Sequence, residues 1–140
     1  MDTGPLVAAL VKRDQWHDRL APAWPGELAR LLTTEPVLVE ATHIVHGYGF
    51  NPARVLEFVI AARIPVFAIR LPLHVECVHL LRRFADLPMD YADATLVARA
   101  DRLRLNRVFT VDRKGFRAYR GARGTPLQLV ELGEPVDPSD

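Results

Sequence analysis

The sequence predicts an α/β domain with a mostly parallel sheet between helical layers. Three observations carry that expectation: continuous apolar runs of strand length at residues 66–69 and 108–111, stretches with helical apolar spacing between them, and proline or asparagine caps where those stretches begin. An apolar run without polar alternation suits a parallel strand covered on both faces. Alternation of such strands with helices implies crossover connections. With 140 residues, 49% hydrophobic and 25% charged, the chain has the size and composition of one domain with a sizeable core.

Thr3-Gly4-Pro5 reads as a turn into a short helix whose stripe is Leu6, Val7, Leu10 and Val11, with Pro5 suited to the first helical position. Asp2 then stands at a strand-to-helix junction, although only Met1 precedes it and the strand expected there is almost missing. Residues 16–32 read as helical but are interrupted by Pro22, Pro25 and Gly26. Thr33-Thr34 is a short strand, after which Pro36 opens a helix carrying Val37, Leu38, Glu40, Ala41, Ile44 and Val45. Asn51-Pro52 caps a helix over 53–63, and Pro65 marks entry to the strand at 66–69. Helices over 74–84 and 90–103 follow, the second with apolar positions at Ala94, Leu96, Val97, Ala100 and Leu103. Residues 108–111 form the next strand and 127–132 a final edge strand, closing a 1–132 domain before a loose tail at 133–140.

Composition narrows the function classes. A single cysteine, Cys77, excludes an internal disulfide and a multi-cysteine zinc site, and fits a reducing cytoplasm. No basic run precedes an apolar stretch at the N-terminus, and the most apolar window, 58–69, is interrupted by Arg63 and Pro65, so neither a signal peptide nor a membrane span is expected. The formal charge is only +1. Setting aside Asp2, Glu40, Asp93 and Asp112 leaves thirteen acidic residues against eighteen basic ones, a surface suited to a polyanion such as RNA.

Those four acids fall where an α/β chain gathers its loops. Val-Phe-Thr-Val-Asp at 108–112 points a carboxylate out of the carboxyl end of a buried strand, where open α/β sheets bind ligands. Each acid also has an ordinary explanation: Asp90 and Asp93 suit a helix cap and its third-position acid. Glu40 and His43 form the Glu-x-x-His half of a helical di-iron motif whose second half is absent, and His74 and His79, on either side of Cys77, do not share one helix face. Thr3 and Thr110 flank two of the acids and can hydrogen-bond the carboxylates, a metal-bound water or the local backbone. Arg113, Lys114, Arg117, Arg120 and Arg123 crowd the chain after Asp112, as RNA-phosphate contacts or as a solvated basic face.

Asp2-Thr3-Gly4-Pro5-Leu6-Val7, Val39-Glu40-Ala41, Tyr91-Ala92-Asp93-Ala94-Thr95-Leu96-Val97-Ala98 and Thr110-Val111-Asp112 stand in the order and spacing of a PIN domain. The combination resembles VapC-type toxins, the ribonuclease halves of bacterial toxin–antitoxin pairs, from Asp2 to about Tyr119. The resemblance implies a three-layer α/β/α fold, an endoribonuclease dependent on magnesium or manganese, a VapB-type antitoxin that covers the site, and a homodimer. By position, Asp2, Glu40, Asp93 and Asp112 match the acidic quartet, Asp90 adjoins it, and Phe116 matches a packing position after the last acid. Lys114-Gly115 departs from the pattern, since another acid often sits there.

Magnesium prefers hard oxygen ligands and keeps several waters, so convergent carboxylates suit it. Such ions lower the pKa of water and stabilise a departing oxygen. Two other classes fit the same residues. A receiver-like regulatory module gathers acids at strand ends without cleaving anything, but needs a lysine on a late strand, and the chain has only Lys12 and Lys114. An inactive PIN scaffold that binds RNA or protein would not need all four acids.

Overall fold

The structure, a computed structural model, describes residues 1–133. Its first helix, α1 (Thr3–Leu10), is capped by Asp2 in extended conformation. The 16–32 stretch breaks, as its prolines require, into α2 (His17–Leu20), α3 (Trp24–Glu27) and a single 3₁₀ turn. Strand β1 (Thr33–Thr34) leads directly into α4 (Glu35–Gly47), with Pro36 in the first turn. The Asn51 side chain accepts from the Ala53 amide at 2.9 Å and starts α5 (Ala53–Ala61). Then come β2 (Val66–Phe67), α6 (Leu71–Arg83), α7 (Tyr91–Arg102), β3 (Arg107–Val108), α8 (Arg113–Ala118) and β4 (Gln128–Leu129).

All strand pairing is parallel: β1 lies beside β2 with Thr33 opposite Val66, and β3 beside β4 with Arg107 opposite Gln128. The expected central sheet is thus two short ladders, and residues 1 and 2 join them. The Met1 amine donates to the Leu32 carbonyl at 2.6 Å, and the Asp2 amide to the Phe109 carbonyl at 2.9 Å. The Thr33 hydroxyl closes the junction on the Met1 carbonyl at 2.8 Å. The strands are shorter than their apolar runs because a ladder needs a partner: β1 ends where α4 begins, so β2 finds nothing to pair with beyond Phe67.

Two further departures have local causes. Helix α6 starts at Leu71 rather than at residue 74 because Arg70 is extended and Pro72 occupies the first turn, where its missing amide costs nothing. Helix α8 was not expected at all; Asp112 nucleates it by accepting from the Gly115 amide. Gly133, read as the start of the tail, is bonded to Arg19 through both its amide and its carbonyl. Residues 134–140 lie outside the described residues.

Helix α1 packs on α4, and α6 on α7, with Leu6, Val37, Val45, Leu73, Val97, Phe109 and Phe116 fully buried between layers. Trp24 meets Phe109 edge-on at 5.1 Å and Phe58 at 5.8 Å. Helix α7 is pinned to β1 by polar side chains. The buried Thr34 and Thr95 hydroxyls share a 2.8 Å hydrogen bond, and Thr95 donates onward to the Ala92 carbonyl. Among the described residues no helix is long and apolar enough to cross a membrane.

Candidate active site

The amino end of α1, the first half of α4, the start of α7 and the carboxyl end of β3 meet on one side of the ladders. Gly4 makes the closest approach possible: a β-carbon there would collide with Val111. That contact brings Asp2 beside the β3 exit. Thr110, fully buried, then links two acids, donating to Asp2 Oδ2 at 2.6 Å and accepting from the Asp112 amide at 3.0 Å. Both roles foreseen for Thr110, carboxylate partner and local cap, are filled at once.

Asp2 is 7% exposed and its other oxygen accepts from the Thr3 amide at 2.7 Å. Burial raises its pKa against the lowering effect of these two hydrogen bonds. Asp93, 8% exposed, forms a reciprocal capping box with Asp90: the Asp93 amide donates to Asp90 Oδ1 at 2.8 Å, and the Asp90 amide to Asp93 Oδ2 at 3.2 Å. The capping reading and the pocket reading of Asp93 therefore coexist. Burial first, then the charges of Asp2 and Asp90, push its pKa up to about 8.

Glu40 sits half-buried on α4 at the rim. Its pKa rises to about 7 through burial and then the nearby Asp90 and Asp2 carboxylates. The buried Thr3 hydroxyl stands beside Glu40 and favours its charged form, although no hydrogen bond of normal geometry joins the two. Asp112 caps α8 through Oδ1 on the Gly115 amide at 3.0 Å, and its charge reaches Asp93. The four acids are thus linked through a chain of charge, Glu40 to Asp2 and Asp90, and Asp93 to Asp2, Asp90 and Asp112, with Thr110 bonded to Asp2. Among the described residues no three of these groups close around a single point as a finished metal-binding cluster. Like charges in a shielded pocket repel, and Asp2, Asp93 and Asp112 each hold a backbone amide of their own turn instead.

The basic run divides. Arg113 Nη1 donates to the Val130 carbonyl at 2.9 Å, Arg120 donates to the Arg117 and Tyr119 carbonyls, and Arg123 pairs with Asp101 at 3.1 Å. Lys114 and Arg117 are exposed on α8 with no side-chain partner among the described residues. His43 is exposed and lines an open hollow of about 650 Å³ beside Glu40 and Asp90. His74 stacks on Tyr91 and shares a 2.7 Å hydrogen bond with its hydroxyl, while Cys77 is buried, its thiol pushed up to about 11 by that burial.

One residue of the pocket was not singled out from the sequence. Burial first, and then the charges of Asp93, Asp112, Asp90 and Asp2, push the pKa of the Tyr119 hydroxyl up to about 12. Its spacing four residues after Gly115 was the available signal, hidden because α8 itself was not foreseen.

No protein-family model matches the chain, and no curated protein does. Among solved structures, the crystal structure of Mycobacterium tuberculosis VapC20, described as a sarcin-ricin loop cleaving toxin, superposes with a TM-score of 0.72 at 17% identity, covering 81% of this chain and 91% of that one. At that identity the likeness extends to the fold. The arrangement of helices around parallel strands is therefore the PIN-like α/β fold found in a VapC toxin.

Proposed function

We propose that the chain is a divalent-metal-dependent endoribonuclease, the toxin of a toxin–antitoxin pair, acting in the cytoplasm. Its partners under this reading are RNA, a VapB-type antitoxin and a second copy of itself. The observation that carries the reading is that four acids from separate elements are linked by their charges on one side of the ladders, Asp93 to Asp2 and Asp112, and Glu40 to Asp2. Likeness of fold to VapC20, a sarcin-ricin loop cleaving toxin, supports the choice of substrate class.

The donors fit magnesium or manganese, being carboxylate and hydroxyl oxygens, with the buried Thr3 hydroxyl beside Glu40 in no hydrogen bond of normal geometry. Asp2, Asp93 and Asp112 would hold the metal, with Glu40 completing the set. A divalent ion bound there supplies positive charge toward a phosphodiester and lowers the pKa of water. Glu40, at the half-exposed rim, orients the attacking water. Thr110 fixes Asp2 and Asp112 relative to one another, and the Asp90 cap fixes Asp93. Lys114 and Arg117 meet the RNA backbone, contacts that supply affinity without sequence choice.

A phosphoryl-accepting regulatory module is disfavoured because neither lysine lies on a strand: Lys12 follows α1 and Lys114 is on α8. The test is incubation of purified, antitoxin-free protein with total RNA in manganese, in chelator, and as Asp93→Asn. Metal-dependent fragments absent from the variant are expected. Equal cleavage by the variant, or none by the wild type, would remove the nuclease reading and leave a binding module.

A further inference from the structure

Tyr119 is fully buried, its ring edge-on to Phe116 at 5.3 Å and to Phe84 at 5.4 Å. This packing leaves the hydroxyl facing the acids. A β-carbon built on Gly115 would collide with Asp112 Oδ2 and stand 2.9 Å from the Tyr119 hydroxyl, so glycine leaves a space that both oxygens share. Yet the hydroxyl has no hydrogen-bond partner. A buried polar group left unsatisfied is costly, and phenylalanine would fill the same volume without that cost.

We propose that Tyr119 is a positioning residue whose hydroxyl donates to Asp112 Oδ2 when the acids draw in around a divalent cation. Asp112 Oδ1 is already held by the Gly115 amide at 3.0 Å. With one oxygen on an amide and the other on a phenol, the carboxylate loses its freedom to rotate and presents a fixed lone pair to the pocket. Hydrogen bonds of this kind orient metal-binding carboxylates and tune their affinity. Glycine at 115 and tyrosine one turn later then form a single device: the first clears the space and the second fills it with a donor. The assignment rests on the metal-dependent reading above.

The experiment is Tyr119→Phe, with manganese affinity measured by calorimetry and melting followed in chelator. Manganese binding is expected to weaken by about 10-fold or more, the usual consequence of losing a hydrogen bond behind a ligand. The metal-free melting temperature should stay level or rise, because only an unpartnered hydroxyl has gone. Gly115→Ala, which keeps the hydroxyl but wedges a methyl against it and Asp112, should also weaken manganese binding. Wild-type manganese affinity in either variant overturns the assignment. So does a metal-free melting temperature well below wild type in Tyr119→Phe, or its failure to fold, since either shows the hydroxyl to be structural. A wild type that binds no manganese removes the metal reading itself, an outcome separate from equal binding by wild type and variant.

Discussion

The two ends of the parallel ladders are built from the same elements and behave in opposite ways. At the carboxyl end, Asp2, Asp93 and Asp112 crowd together, and burial and mutual repulsion hold Asp93 partly protonated near neutrality. At the amino end, Met1, Leu31, Leu96, Val97, Phe109 and Phe116 line a cavity of about 260 Å³ walled mainly by apolar atoms. The apolar end stabilises the fold, whereas the acidic end costs stability that, under the proposed function, a bound cation would return. The proposed site is therefore marked by the convergence of charge and not by the shape of a cavity.

The largest effect should come from the acidic end. Asp93→Asn is expected to reduce metal-dependent RNA cleavage by more than about 100-fold, beyond what loss of an outer hydrogen-bond partner costs. It should not lower the metal-free melting temperature at pH 8. A variant retaining a tenth of wild-type cleavage, or one that unfolds, would erase the contrast between the ends.

The apolar end should answer in stability alone. Phe109→Ala removes a buried ring that meets Trp24, and should cost about 3–5 kcal/mol in urea denaturation. A loss below about 1 kcal/mol would mean that this core has relaxed around the gap.

A smaller effect is expected from pH. Asp93 and Glu40 have folded pKa values of about 8 and about 7, above their ordinary values of 3.8 and 4.5, so between those limits the folded state binds more protons than the unfolded one. Their ionisation penalty is absent below about pH 4, grows as pH rises, and is complete above about pH 8. Melting in chelator should therefore fall between pH 5 and pH 8, and saturating manganese should remove most of that slope. A flat chelator profile would show that the acids are better solvated than their burial implies.

The smallest effect concerns the exposed cations of α8. Neutralising Lys114 and Arg117 together should lower the salt slope of single-stranded RNA binding by about 1.4, at roughly 0.7 for each phosphate contact. An unchanged slope would separate α8 from the RNA path. Arg113 is the natural control, since its guanidinium is engaged by Val130.

How much of this was legible depended on how local each signal is. The α4 and α5 starts were readable because proline and asparagine act within one turn, and the place of Asp112 at the exit of β3 was readable because an apolar run marks that strand. The ends of α5 and α7 were harder. Both are followed by a left-handed arginine, Arg63 and Arg104, where the usual glycine signal is missing. Helix α8 was invisible because its nucleus is the Asp112 cap, a residue read only as a site acid.

The sequence by itself determined the fold class, the order of the elements and the four acids worth watching, since apolar periodicity and turn chemistry are written in near neighbours. Tertiary structure alone decided how short the strands are, that Arg113 is occupied while Lys114 is free of side-chain partners among the described residues, and that Tyr119 joins the pocket. These depend on partners far away in the chain. Solvation and hydrogen bonding of a side chain are properties of its surroundings, and those exist only after folding.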